Sequence, residues 1–233
     1  MPDAMIDTIR KIEREIPGCT RCDRLVEYCR RVAREKRRAY RDWEYWGRPV
    51  PGFGDPQARL LILGLAPAAH GANRTGRVFT GDRSGDFLYR ALHRAGFANQ
   101  TSSVSRDDGL RLLDTYITAT VRCAPPANKP LPAESRNCRE YLERELAALR
   151  KVTIVVALGK IAFDAYLSIL KDRRLIRSRN AFPFSHGAFY RFPPPLPVLI
   201  ASYHPSQQNT QTGKLTKGMF DSIFSKARRC LRN

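Results

Sequence analysis

The sequence predicts an α/β protein, a doubly wound parallel sheet with helices on both faces. Three observations carry that expectation. Four short, almost continuous apolar bursts recur along the chain, each with the length and composition of a strand buried on both sides. Amphipathic helical patterns separate them, and strands alternating with helices build parallel sheets. The chain has 233 residues, 42% hydrophobic and 27% charged, which suits one compact domain with a proper core and excludes a mostly disordered basic tail. Residues 1–233 read as a single domain, with a helical and loop extension over 1–56 and a sheet core over 57–233.

Taken in order, residues 5–16 and 20–41 read as helices, the second ending in the basic run Arg30, Arg31, Arg34, Lys36, Arg37, Arg38 and Arg41. Pro49, Pro51, Gly52, Gly54 and Pro56 then break any regular structure. The first burst, Ala58-Arg59-Leu60-Leu61-Ile62-Leu63-Gly64-Leu65, predicts a buried strand. Further strands are expected over 115–121, 152–158 and 196–202. Helices are expected over 84–96, 134–150, 159–170 and 213–231. The aromatic segment 182–192, around Ser185-His186-Gly187, reads as a small hairpin inserted before the last strand.

Lys and Arg number 41 against 22 Asp and Glu, for a formal net charge of +19. Self-repulsion on that scale fits a polyanionic partner, nucleic acid first, with a ribosome-like or membrane surface as the bland alternatives. No apolar run approaches the roughly 20 residues of a membrane span, and Met1-Pro2-Asp3-Ala4-Met5 lacks the layout of a secretory signal. A soluble, cytoplasmic protein without a membrane partner is expected.

In such a compartment structural disulfides are rare, so the six cysteines need another reading. Cys19-Thr-Arg-Cys22 is a CxxC, and Cys123 and Cys138, separated by fourteen residues, flank a proline-rich loop. Together they form a candidate four-thiolate metal or cluster site, with small buried hydrophobes as the plain alternative. Cys29 and Cys230 look like spare residues. The unusual residues all fall after the strands: Gly64-Leu65-Ala66-Pro67, Arg122-Cys123-Ala124-Pro125-Pro126-Ala127-Asn128, Gly159-Lys160 and Tyr203-His204-Pro205-Ser206. In a parallel sheet these loops share the carboxyl edge, where ligands bind.

The stretch from Gly64 to Asp82, GLAPAAHGANRTGRVFTGD, resembles the first motif of family 5 (type B) uracil-DNA glycosylases. Tyr203-His204-Pro205-Ser206-Gln207-Gln208-Asn209-Thr210 is similar to the last motif of that superfamily. Cys19, Cys22, Cys123 and Cys138 match the pattern with which families 4 and 5 hold a [4Fe–4S] cluster, although Zn²⁺ would suit the same thiolates on spacing alone. The resemblance implies a three-layer α/β/α sandwich around a four-stranded parallel sheet. It also implies a monofunctional glycosylase that hydrolyses the N-glycosidic bond of a damaged base and leaves an abasic site. The partner would be double- and single-stranded DNA carrying such bases, the protein monomeric and nucleoid-associated.

Residue roles follow from that resemblance. Phe79 is the expected stacking platform for the flipped base, with a core phenylalanine as the alternative. Asp82 is expected to orient water and oppose the growing sugar cation, unless it only caps the helix beginning near Ser84. Asp86 is a weaker second candidate. His204 would donate to the leaving base. Ala66 and His70 are expected at the pocket, where sister enzymes carry Asp, Asn or Glu near Ala66. Family 4 enzymes usually have Asn on the strand in an Ile-Thr-Asn run; this chain has Ile117-Thr118-Ala119. Base recognition then falls to Asn128 or backbone groups, with turn formation as the other use of Asn128. The lost strand amide fits a range including hypoxanthine and hydroxymethyluracil. Ser206, Gln207 and Gln208 are expected as a loop at the minor groove, and Arg34, Arg37 and Arg38 on the DNA surface, with a solvated helix face as the alternative.

Overall fold

The structure, a computed structural model, describes residues 2–232; Met1 and Asn233 lie outside the described residues. The amino-terminal extension carries α1 (Pro2–Glu15), α2 (Asp23–Glu35) and the two-residue strand β1 (Phe53–Gly54). The core then runs β2 (Leu60–Gly64), α3 (Ala72–Thr75), α4 (Arg83–Arg94), β3 (Thr115–Ala119), α5 (Pro132–Ala148), β4 (Ile154–Leu158) and α6 (Lys160–Asp172). It closes with β5 (Phe189–Tyr190), β6 (Val198–Ser202), α7 (Gln207–Gln211) and α8 (Lys217–Cys230).

The sheet is mixed and six-stranded, in the order β1-β3-β2-β4-β6-β5, which corrects the expected four-stranded parallel sheet. The four strands expected from the apolar bursts form its parallel centre, with Gly64 level with Ala119 and Leu158 level with Ser202. The two added edge strands are antiparallel. At two residues each, they leave no periodicity in the sequence. The segment 182–192 is likewise no separate hairpin, because Phe189 and Tyr190 pair directly with Ile200 and Leu199 of β6.

Alternation along the central strands divides the core. Leu60, Ile62, Ile117, Val156 and Ile200 face α4 and α8, where Leu88, Leu92, Phe220 and Phe224 cover them. Leu61, Leu63, Val155, Ala157 and Leu199 face α5 and α6, where Leu142, Phe163, Tyr166 and Leu167 pack, and Ile9 of α1 joins that side. A run without polar alternation is what a strand needs when both faces are covered. The basic run is not one helix: α2 stops at Glu35, and Lys36 turns the chain with φ +52°. No described helix is long and apolar enough to cross a membrane.

One ion pair is sealed inside. Arg122 Nη2 donates to Glu145 Oε2 at 2.5 Å, with the two side chains 1% and 0% exposed. Thr118 bridges them, donating to Glu145 at 2.6 Å and accepting from Arg122 Nη1. Removing one partner from such a pair leaves an uncompensated buried charge, which typically costs about 3–5 kcal/mol. Glu145→Ala should therefore lose about that much in urea denaturation at neutral pH, and the double change Glu145→Leu with Arg122→Met should recover most of it.

Candidate active site

The carboxyl ends of β2, β3 and β6 open into a cleft of about 1050 Å³, lined by residues 65–71, Val78, Phe79, 81–84, Ala119, Pro125, Ala127, Asn128, His204 and 206–208, with Tyr28, Arg37, Ala39 and Tyr40 from the extension. A parallel sheet collects its loops at this edge, so the expected site residues meet here despite their separation in sequence.

Asp82 is the N-cap of α4: its Oδ1 accepts from Gly85 N–H at 2.9 Å. The capping alternative is thus realised, and the same side chain also lines the cleft. Its other oxygen, Oδ2, lies against Gly71, where a methyl group would run into it; position 71 is kept bare by the carboxylate. Burial pushes the Asp82 carboxyl above the usual range, while hydrogen bonds from Gly85 and Ser84 and the charge of Arg74 oppose that rise. Asp86, one turn on, adds to it.

Phe79 is half-buried, with φ +51°, a backbone region uncommon for an aromatic residue and worth reading as functional strain. Its ring packs against the core and faces the His204 ring at 5.9 Å between centroids, tilted by 31°. The packing alternative is thus met, and the same residue also lines the cleft. His204 follows β6, and its carbonyl accepts from Asn209 Nδ2 at 2.8 Å, which fixes the turn. Burial lowers the His204 imidazole to about 4, so the ring is neutral at pH 7 and retains one N–H donor.

The rim is built differently. Ala66 and His70 both line the cleft, and His70 Nδ1 is 3.1 Å from the Tyr45 hydroxyl. Burial, then Arg37 and Arg74, lower its pKa. Asn128 is exposed at φ +57° beside Ala127 at φ +52°, so it serves the turn and edges the cleft at once. Residues 207–211 form a short helix, α7, not the expected loop; Ser206 caps it by accepting from Asn209 N–H at 3.3 Å, and Gln207 and Gln208 stay exposed. Arg34, Arg37 and Arg38 are exposed, but only Arg37 reaches the cleft, because the chain leaves the helix at Lys36. Tyr40 lines the cleft, and Arg74 and Tyr45 contact His70, which does; no local pattern in the sequence marks these three.

The four cysteines also come together. Cys19 and Cys22 are partly exposed and Cys123 and Cys138 buried. Cys123 is pushed up by its hydrogen bond with Cys29, then by burial and by Cys138 and Cys19; Cys138 is pushed up by burial, with Cys22 and Cys19 adding to it. The thiols are near enough to feel one another, yet among the described residues no three His, Cys, Asp or Glu side chains are arranged to hold a metal ion. Cys29 is no spare residue: it packs with Cys123 and Cys138 in one buried cluster.

Residues 51–228 match the Uracil DNA glycosylase superfamily. The chain belongs to that superfamily. Within it, the chain is 52% identical over 217 residues to the type-5 uracil-DNA glycosylase of Thermus thermophilus, covering 92% of this chain and 94% of that one. It is 49% identical to the type-5 enzyme of Mycobacterium leprae, with 95% of each chain covered. The type-4 enzyme of Archaeoglobus fulgidus is more distant, 30% identical over 67% of this chain and 62% of its own. The type-5 character expected from the first motif is thereby met.

The neutral state of His204 has a consequence for stability. An unfolded histidine titrates near 6.5 and the folded one at about 4, so between those values the unfolded state binds the extra proton and stability falls as pH drops. His204→Phe should flatten that loss by about 2 kcal/mol between pH 7 and pH 4.5, read by urea denaturation at the two pH values. Asp82, with its raised pKa, has the opposite slope and is common to both proteins.

Proposed function

We propose that this protein is a monofunctional DNA glycosylase that removes uracil and other deaminated or damaged bases, such as hypoxanthine and hydroxymethyluracil, from double- and single-stranded DNA. The observation that carries the reading is the convergence of Asp82, Phe79 and neutral His204 on one cleft at the carboxyl edge of the sheet. The damaged nucleotide is extruded from the stack, at a cost of a few kcal/mol that is least at a mispair. Phe79 stacks on the extruded base. As the bond from C1′ to the base nitrogen breaks, its electron pair leaves with the base, and a donor N–H of His204 stabilises the negative charge. Positive charge grows on the sugar, and the Asp82 carboxylate opposes it and orients the water that attacks C1′. Water supplies hydroxide to the sugar and a proton to the departing base; an abasic site and a free base result.

Breadth of substrate is supported by the cleft wall. Ala119, level with Gly64 at the strand end, offers no hydrogen-bonding side chain to the base. Asn128 and backbone groups are left to meet its polar edge. The exposed Arg37 and Arg83 at the cleft suit phosphate contacts in a monomeric, nucleoid-associated enzyme.

Cys19, Cys22, Cys123 and Cys138 would hold a [4Fe–4S] cluster. The fit rests on donor chemistry, four free thiols within electrostatic reach of one another. The cluster would act as a staple joining the extension to the loop after β3 and to α5, and hydrolysis requires no electron from it. Purified protein should be brown and contain iron and labile sulfide in equal amounts, and Cys123→Ala should lose both. A colourless, zinc-loaded protein prepared without oxygen would overturn the assignment.

Asp82→Asn is the test of the chemistry. The amide oxygen can still cap α4, so folding and binding of damaged DNA should persist. Single-turnover excision from duplexes carrying uracil, hypoxanthine or hydroxymethyluracil should slow by about 10²–10³, the usual worth of one electrostatic contact to a transition state. Near-parental rates in Asp82→Asn, or intact DNA from every duplex with the parent, would refute the mechanism or the function respectively.

A further inference from the structure

Between the extension and the cleft lies an arginine that the mechanism above does not use. Arg74, on α3, is 3% exposed. Its guanidinium sits between the rings of Tyr40 and Trp43, 4.0 Å from each centroid. Nε donates to the His70 carbonyl at 2.9 Å and Nη2 to the Gly81 carbonyl at 2.8 Å. Nη1 meets no acceptor among the described residues. The partners are aromatic faces and neutral carbonyls, so the positive charge is not cancelled by a carboxylate in hydrogen-bond contact.

The surroundings are shaped to this side chain. Gly81 has φ +78°, and a Cβ there would run into Arg74 Nη2. The backbone of Arg74 is itself pinned, since its carbonyl accepts from Trp46 N–H at 2.9 Å and that of Asn73 accepts from Gly47 N–H at 3.0 Å. The two carbonyls it clamps belong to residues that flank the catalytic loop: Gly81 precedes Asp82, and His70 precedes Gly71, against which Asp82 Oδ2 lies.

We infer that Arg74 is a positioning residue for glycosidic cleavage, clamping His70 and Gly81 and placing an uncompensated positive charge beside Asp82 that favours the carboxylate form. The inference rests on the proposed role of Asp82. The groups around that carboxylate are Arg74 from α3, Arg83, Asp86, Tyr89 and the Ser84 and Gly85 amides from α4, and His70 and His204, which line the same cleft. Of these, Arg74 is the buried cation, and it opposes the upward push of burial on Asp82. The corner formed by the two perpendicular rings retains the guanidinium at low cost, because cation–π contact replaces part of its lost hydration.

Arg74→Met fills the space between the rings without charge, and Arg74→Lys keeps the charge while losing the two-carbonyl clamp. The Asp82 carboxyl is followed by ¹³C NMR in the free full-length protein, assigned by its absence in Asp82→Asn. Single-turnover uracil excision is measured across pH on the same proteins. In Arg74→Met the Asp82 midpoint should rise by about one pH unit, and the acidic limb of the rate profile should move up with it, a roughly tenfold loss on that limb. Arg74→Lys should hold the midpoint near the parental value while lowering the plateau rate. If Arg74→Met does not fold, Arg74→Gln carries the same expectation. An unmoved Asp82 midpoint in a folded, uncharged variant overturns the inference and leaves Arg74 a structural prop. Parental rates in Asp82→Asn would instead refute the catalytic role of Asp82, and the NMR midpoint would still decide what Arg74 does to it.

Discussion

Removal of water from the cleft is the constraint to which the site answers. Desolvation disfavours whichever form of a group is charged, so one environment acts oppositely on the two side chains proposed to react. His204 is driven to its neutral form, which keeps one N–H donor. Asp82 is driven towards the neutral acid, which cannot oppose a growing cation. The structure treats the two accordingly. His204 is half-buried at the cleft, with its carbonyl tied to Asn209. Around Asp82 gather the first amides of a helix, whose partial positive charge favours an anion, and the guanidinium of Arg74. One of the two groups needs electrostatic support and receives it.

That support originates outside the sheet. Tyr40, Trp43, Tyr45 and Trp46 all belong to the amino-terminal extension, and each touches the first motif: two through Arg74, one through His70 and one through the backbone at Arg74. The extension also brings Cys19 and Cys22 towards the thiols that follow β3 and lie on α5. It therefore buttresses the site along two routes, an aromatic strap and, on the proposed reading, a cluster. A protein with so little of its own sheet beyond the four central strands has the first loop of its cleft held by chain that precedes the core.

The parallel centre of the fold was legible because buried strands must be apolar on both faces, and the four bursts have no other economical use. The edge strands were not, since Phe53–Gly54 and Phe189–Tyr190 are defined by partners distant in sequence. His204 could be found because it follows a strand, where topology gathers side chains, whereas Asp82 and Phe79, which lie beyond α3, were marked by the likeness of the first motif. Arg74 could not: within GLAPAAHGANRTGRVFTGD it looks like one more surface cation in a chain rich in them. Its burial depends on aromatic residues some thirty positions earlier, a pairing without periodicity. The basic run misled in the same way, for Lys36 ends the helix by a backbone turn that composition does not announce.

Small side chains at Ala66 and Ala119 imply where selectivity arises on the proposed reading. A wall that makes no side-chain hydrogen bond to the base cannot strongly reject one base for lacking a group that another has, since such rejection needs a buried polar partner left unpaired. Choice must then be exerted before the base reaches the wall and after it. Before, a mispaired nucleotide leaves the stack at lower cost than a paired one. After, His204 and Asp82 act on charge that develops only if the base can depart as an anion, and this favours bases whose nitrogen bears negative charge well. A cleft of this kind sorts lesions by pairing defect and leaving-group quality, with shape playing the smaller part, which is how one set of residues can serve both a deaminated pyrimidine and a deaminated purine.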